Sequence, residues 1–318
     1  MRNVILGSGI IGLLAKKILG PSWDIVPFYA SRFFSFNPAL DDNFITRDKA
    51  IDDFIRDITG KPAIPVLYKR AWSIRGQLLG EFDNSLCNEW LWKIHDGKVP
   101  SHAQVYNSTR MSMMVYNDVR TNLLYKELLD RDKQLILAEK DKGQITEIGD
   151  HYFIRNGQTE EFDNIVSTIP LDALCNLMHV KGLDLQAKTI HYLHVATDDL
   201  DFEGNNQTLV VDSMFDFFKV TCIAPSRYLF YFQNEVQNPG AYLMKIIRSF
   251  DIIDGTSISN AICSGEIPDL SWLEKLGIVC VGSSAQWDSC ADVGSCILRL
   301  MRFAERGFKP AKNKHVNL

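Results

Sequence analysis

The stretch that most limits what this chain can become lies in its first twenty residues. Asn3-Val4-Ile5-Leu6 is a short apolar run, Gly7-Ser8-Gly9-Ile10-Ile11-Gly12 follows directly, and Leu13 to Leu19 has the composition of a helix. Strand, glycine turn and helix in that order are the opening of a dinucleotide-binding fold. Each glycine has a separate task. Gly7 permits the tight turn out of the strand, Gly9 leaves the backbone open to a pyrophosphate, and Gly12 lets the helix pack close to the strand. The N–H groups of the first helical turn, and the partial positive charge there, then favour phosphate. Gly7, Ser8, Gly9, Ile10, Ile11 and Gly12 are therefore candidate cofactor contacts. The pattern does not say which dinucleotide.

Gly20-Pro21-Ser22 stops the helix, and Trp23 to Tyr29 reads as the second strand. An Asp or Glu normally sits at the end of such a strand and binds the ribose hydroxyls. Tyr29-Ala30-Ser31-Arg32 stands there instead. Ser31 suits a ribose hydroxyl and Arg32 a phosphate or an adenine face; ordinary loop residues are the competing reading. Further along, 48–58 and 81–94 have the apolar spacing of amphipathic helices, 62–79 has strand character, and 120–129 reads as a helix. Short strands are expected at 134–138, 144–148 and 151–154, with Asn156-Gly157 as a hairpin turn. Residues 164–170 are apolar without alternation, as in a strand buried within a parallel sheet.

Four apolar runs (190–197, 208–212, 217–224 and 228–235), separated by turn residues, predict an antiparallel sheet. Short helices are expected at 243–249 and 269–276. The chain then returns to its opening pattern. Gly277 to Gly282 is a strand, Ser283 to Asp288 a polar loop, and Asp292 to Ala304 a helix, which presents a second helix N-terminus to a ligand. The predicted class is α/β, a Rossmann-like dinucleotide domain with an inserted antiparallel β-sheet and helices forming a substrate domain. The first domain is assembled from 1–60, 110–170 and 277–308, and the second from 61–109 and 171–276. Residues 309–318 read as a mobile tail.

Composition narrows the function classes. The net charge of -5 argues against a broadly basic nucleic-acid surface. No segment reaches the ~20 apolar residues of a membrane span, and none has a signal-peptide layout. The seven cysteines, at 87, 175, 222, 263, 280, 290 and 296, include no CxxC. Their odd number suits reduced thiols, so a cytoplasmic protein is expected. Cys290 and Cys296 read as small buried apolar residues. His191 and His194, three apart in a predicted strand, point to opposite faces and do not form a metal pair; no metal site is expected.

Four pieces together resemble the FAD-dependent oxidoreductases of the flavin amine oxidase, protoporphyrinogen oxidase and UDP-galactopyranose mutase group. They are GSGIIG at 7–12, NIVSTIPL at 164–171, FFKVT at 217–221 with Tyr231 to Glu235, and GSSAQWD at 282–288 with Asp292. The resemblance implies FAD rather than NAD. It adds Thr168, Gly282, Ser283, Gln286, Trp287, Asp288, Asp292 and Val293 to the expected cofactor contacts. Three features depart from the group. The ribose acid is missing, Ser283 stands where an Arg commonly follows the first glycine of the last loop, and Lys219 stands where mutase-like members often have Arg. The chain is also short for an amine oxidase.

The resemblance implies an FAD-dependent oxidoreductase that takes hydride from a carbon bearing nitrogen. The resulting imine hydrolyses, and O2 reoxidises the flavin. Lys219 is the candidate basic group on the substrate side, and Tyr231 and Trp287 the candidate walls of the substrate site. Three alternatives stand beside this. One is a mutase-like use of reduced flavin on a sugar nucleotide. Another is an oxidase or lyase acting on an amino-acid-modified pyrimidine in bacteriophage DNA hypermodification, which would make nucleic acid a partner. The last is a flavin-free binding protein retaining the fold.

Overall fold

The computed structural model describes residues 2–28, 43–46, 48–61, 64–68, 70–75, 77–79, 83–101, 114–200, 206–264, 266–288 and 293–306. Ser31, Arg32, Cys290, Asp292 and the expected tail at 309–318 lie outside the described residues. The chain divides into two compact units. The first comprises Met1–Ser35, Tyr125–Leu185 and Ile267–Leu318; the second comprises Phe36–Leu124 and Gln186–Glu266. Relative to the sequence partition, 36–60 and 110–124 group with the second unit, and 171–185 and 267–276 with the first.

The first unit is built on a four-stranded sheet in the order Ile278–Cys280, Asn164–Ser167, Asn3–Leu6, Trp23–Val26, with every neighbouring pair parallel. Strand Asn164–Ser167 is buried throughout, which explains why it shows no polar alternation. Helix Ile10–Leu19 buries Gly12, Leu13, Leu14 and Ala15. Lys16 and Lys17 lie in its last turn, where cations suit the helix dipole, and the Lys16 ammonium donates to the carbonyls of Pro21 and Trp23. Helix Val293–Arg306 packs beside it, and Phe303 meets Trp23 edge-on at 6.0 Å between ring centroids.

A three-stranded antiparallel sheet, Ile145–Gly149, Tyr152–Arg155 and Gln158–Glu161, completes this unit. Its second turn is the expected Asn156-Gly157, with φ of 51° and 76°. Two left-handed residues in a two-residue loop match the twist of the strands. The strand expected at 134–138 does not exist. Thr121–Asp141 is one helix of 21 residues. Leu124, Leu128 and Ile136 are buried while Leu135 is 55% exposed. The apolar cluster 135–137 is thus one face of a helix plus a solvent-facing leucine, and no glycine or proline interrupts it before Gly143.

The second unit carries a seven-stranded sheet, ordered Asp251–Ser264, Gln186–Ala196, Arg227–Phe232, Phe217–Ala224, Gln207–Val210, Arg70–Ile74, Gln77–Leu79. It is not purely antiparallel, because Gln207–Val210 pairs parallel with Arg70–Ile74. The stretch 62–79, expected to have strand character, holds three strands, the first of which, Ile64–Tyr68, belongs to a separate sheet with Asn43–Thr46 and Met114–Arg120. The short helix expected at 243–249 lies earlier, at Pro239–Leu243, where Asn238 accepts from the Ala241 N–H as its cap.

Both faces of the seven-stranded sheet are covered. Helix Asn84–Ile94 lays Leu86, Cys87, Leu91 and Ile94 against Trp72, Tyr192, Phe218 and Tyr231. Leu243 and Ile247 pack on the opposite face, with Phe217, Phe230 and Phe232. Lys93 fastens the helix to the sheet. Its ammonium donates to the carbonyls of Val210, Asp212, Phe215 and Phe217 at 2.7–3.2 Å. Burial pushes its pKa down to about 8 against the opposing pull of Asp212 and Asp216, so the charged form persists at pH 7. Lys93→Met removes the donor from four carbonyls, and a loss of about 2–3 kcal/mol in urea unfolding is expected. An unchanged urea midpoint would show that the clamp contributes nothing.

Candidate functional site

The candidate cofactor residues of the first unit come from two turns at the carboxyl ends of parallel strands, where open α/β sheets bind their ligands. The first turn is anchored by the Gly7 N–H, which donates to the Val26 carbonyl at 2.8 Å. Thr168 joins it from the neighbouring strand end; its N–H and Oγ1 both donate to the Leu6 carbonyl, at 2.9 and 3.0 Å. Gly7 has φ +107°, and a Cβ there would stand 2.5 Å from Thr168 Oγ1. A Cβ on Gly12 would stand 2.1 Å from the Gly7 carbonyl oxygen. These two glycines are required by the protein itself.

Gly9 differs. Its backbone is ordinary, with φ -66° and ψ -178°, it is exposed, and a Cβ would meet none of the described residues within 4 Å. Any residue can adopt that conformation. It is the cap residue of helix Ile10–Leu19, with no side-chain cap hydrogen bond and no acidic residue in the first turn. The N–H groups of that turn have no intrahelical carbonyl to reach. Ser8 is buried, while Ile10 and Ile11 are half-buried. A dinucleotide pyrophosphate fits this arrangement: the first-turn N–H groups begin at a glycine that no described residue crowds, the local dipole is positive, and the first turn carries no acidic residue.

The second turn follows strand Ile278–Cys280. Val281 N–H donates to the Ser167 carbonyl at 2.9 Å, continuing the sheet by one residue. Gly282 takes φ +121° and starts a single helical turn, Ser283–Gln286. Gln286 N–H donates to the Gly282 carbonyl at 2.8 Å, and Asp288 N–H to the Ser283 carbonyl at 2.9 Å. A Cβ on Gly282 would lie 3.9 Å from Ile11 Cγ1, so the two glycine turns adjoin. Val293 is half-buried at the first position of its helix. Trp287 is 1% exposed and holds a left-handed backbone, φ 56° and ψ 36°. No local signal in the sequence announces this, since tryptophan is not a residue that seeks that conformation.

Lys219 and Tyr231 lie in the second unit, as cross-strand partners on Phe217–Ala224 and Arg227–Phe232. A register irregularity between Phe217 and Lys219 marks a bulge, a device that re-aims side chains. The Lys219 ammonium sits 4.2 Å from the Tyr231 ring centroid, in a cation–π contact. Tyr231 is buried, accepts from Thr221 Oγ1 at 3.4 Å through its hydroxyl, and meets Tyr192 edge-on at 4.8 Å. Thus twelve of the sequence's candidates fall in the first unit's two turns and strand ends, Val293 opens a helix of the same unit, and these two fall on the sheet of the second.

His191 Nδ1 lies 2.7 Å from Ser257 Oγ on the adjacent strand, and His194 is buried. Among the described residues, no group of His, Cys, Asp and Glu is arranged to hold a metal ion, and no helix is long and apolar enough to cross a membrane. Burial holds the Cys175 and Cys280 thiols up at about 11 and about 12, and Cys296 is buried with them in the first unit. Such buried thiols pack as small apolar side chains.

No family model matches the chain, and no curated protein matches its sequence. Solved structures do match its fold. Cyclohexylamine oxidase from Brevibacterium oxydans IH-35A aligns with a TM-score of 0.61 and 10% identity, covering 96% of this chain and 98% of that one. Reduced UDP-galactopyranose mutase aligns with a TM-score of 0.59 and 11% identity, covering 96% and 93%. A putative protoporphyrinogen oxidase from Exiguobacterium sp. 255-15 aligns with a TM-score of 0.53 and 11% identity, covering 96% and 98%. At such identities the likeness is one of fold. The chain shares the fold of the flavin amine oxidase, protoporphyrinogen oxidase and mutase group, to which its four sequence pieces pointed.

Proposed function

We propose that this protein is an FAD-dependent oxidoreductase that oxidises the C–N bond of an amine or amino-acid-like substrate to an imine, which water then hydrolyses. The observation that carries the cofactor half is Gly9, a glycine with an unstrained backbone that no described residue crowds, placed at a helix N-terminus without a side-chain cap. The turn keeps glycine there for something that approaches the backbone from outside the chain. The amine half is supported by the shared fold with cyclohexylamine oxidase over nearly the full length of both chains.

When bound, the flavin supplies an acceptor for the hydride leaving the substrate carbon. The chain's own residues bind and orient. The Gly7–Gly12 turn and helix N-terminus hold the pyrophosphate through backbone N–H groups. The Gly282–Asp288 turn supplies a second set of backbone donors beside it. Lys219, steadied over the Tyr231 ring, offers its ammonium to a carboxylate or phosphate on the substrate or to a water. The substrate nitrogen loses its proton to solvent, and water adding to the imine carbon releases the nitrogen.

The reading is tested by mixing the purified, flavin-loaded protein with a panel of amines and amino acids without oxygen. The expected result is bleaching of the flavin absorption by at least one member, with the carbonyl product appearing after hydrolysis. Flavin that no amine bleaches, but that becomes active on a sugar nucleotide after chemical reduction, would replace this reading with a mutase-like one. That alternative draws on the fold shared with UDP-galactopyranose mutase.

A further inference from the structure

The most unusual backbone in the first unit belongs to Trp287. Of the seven described non-glycine residues with positive φ, five are Asn, Asp, His or Ser, which tolerate the left-handed region through short or polar side chains, and one is Arg75. Trp287 is the remaining one and the only aromatic carbocycle among them. It occupies the position after the helical turn Ser283–Gln286 where a left-handed glycine usually ends a helix. The turn closes around it, with the N–H groups of Trp287 and Asp288 both donating to the Ser283 carbonyl. A glycine would make the same turn without the strain. The tryptophan is kept, and its side chain is 1% exposed.

These facts place the reason for Trp287 in its buried indole rather than in the turn's own chemistry. We infer that Trp287 is a positioning residue: its indole, locked in the core, holds residue 287 left-handed and so fixes the Gly282–Asp288 turn in the conformation that receives the cofactor. The turn is attached to the sheet by Val281 and adjoins the Gly7–Gly12 turn at Ile11. It is otherwise four residues of helix, too short to hold its shape by propensity alone. This inference rests on the flavoenzyme reading, and it moves Trp287 from a wall of the substrate site to a support behind the cofactor loop. Strained residues at binding sites are held by the structure around them.

The test uses full-length wild type, Trp287→Phe and Trp287→Gly, each freed of flavin and then titrated with FAD. Hydrogen exchange of the 283–288 amides is followed in the flavin-free state, beside thermal unfolding. In Trp287→Gly the amides of 286–288 are expected to exchange at least ~10-fold faster and FAD to bind at least ~10-fold more weakly, about 1.4 kcal/mol. Trp287→Phe, which retains a buried ring, is expected to recover most of both. Lower thermal stability with unchanged amide protection and unchanged FAD affinity in Trp287→Gly would overturn the inference, leaving plain packing. Wild type that takes up no FAD, with the amides still dependent on Trp287, would overturn the flavoenzyme reading and the cofactor half of the inference but not the pinning of the turn.

Discussion

Gly12→Ala is expected to destabilise the protein by more than about 3 kcal/mol, at the upper end of what overpacking costs. The added methyl would stand 2.1 Å from the Gly7 carbonyl oxygen and 3.3 Å from Thr168 Oγ1. The first of these is backbone, fixed by the Gly7 N–H bond to Val26 and by the parallel sheet on both sides. No rotamer relieves the clash. Helix Ile10–Leu19 must move off the strand, which uncovers Leu13, Leu14 and Ala15, all fully buried. Gly9→Ala provides the control. It introduces no clash, and the less favourable cap residue costs no more than about 1 kcal/mol. The difference is read from urea midpoints of the two variants, and equal midpoints would refute the packing role assigned to Gly12.

The second large effect is expected at Arg155. It is buried, and it pairs with two carboxylates at once. Nε and Nη2 donate to the two oxygens of Glu160 at 2.7 and 2.9 Å, and Nη1 donates to Glu139 at 2.9 Å. Arg2 reaches Glu160 from the other side and Asp24 at 2.9 Å. Both guanidinium groups lie about 5.5 Å from the Phe153 ring centroid. Arg155→Met leaves the partly buried Glu160 and Glu139 with only Arg2 and the exposed Lys142 as cationic partners, and a loss of about 3–5 kcal/mol is expected at pH 7.

The pH dependence gives a further check. Burial pushes the Glu160 pKa up, but the hydrogen bonds from Arg155 and Arg2 outweigh it and hold the carboxyl below its ordinary value. A carboxylate with a lowered folded pKa contributes stability that is present above its unfolded pKa of about 4.3 and is lost as pH falls through the folded value. The gap between wild type and Arg155→Met should therefore narrow in acid, as Glu160 becomes protonated. A gap of the same size at pH 7 and at acid pH would show that Arg155 acts through packing alone.

The parts of the fold legible in the sequence are those written in local chemistry. The Gly7–Gly12 turn, the Asn156-Gly157 hairpin and the unbroken apolar run at 164–167 each have one low-energy solution that short-range sterics impose. The parallel sheet followed from them, together with the return of the pattern at 277–288. Other parts depend on partners distant in sequence. Asp251–Ser264 has a Gly, an Asn and several serines, and none of the expected strands included it; it is a strand because it pairs along the length of Gln186–Ala196. Strand propensity gives way to such pairing. The parallel pairing of Gln207–Val210 with Arg70–Ile74 joins segments more than a hundred residues apart and leaves no mark in either.

The same division runs through the candidate site. The glycines of both turns were legible because a missing side chain has few explanations. The burial of Trp287 and its left-handed backbone, the lysine clamp at Lys93, and the bulge that aims Lys219 arise from packing. Apolar or charged residue types alone could not separate a wall from a support at 287, nor a clamp at 93 from a solvated lysine.

The central claim is that the Gly7–Gly12 turn is the cradle of a flavin dinucleotide. It is tested most directly by titrating flavin-free wild type and Gly9→Val with FAD, following the flavin absorption and protein fluorescence. The valine side chain enters space that is open in the protein, so stability should fall by no more than about 1 kcal/mol. The expected result is saturable binding by wild type, with loss of at least ~10-fold in affinity for Gly9→Val, about 1.4 kcal/mol. Wild type that binds no FAD, or a Gly9→Val protein that binds it equally well, would contradict the account.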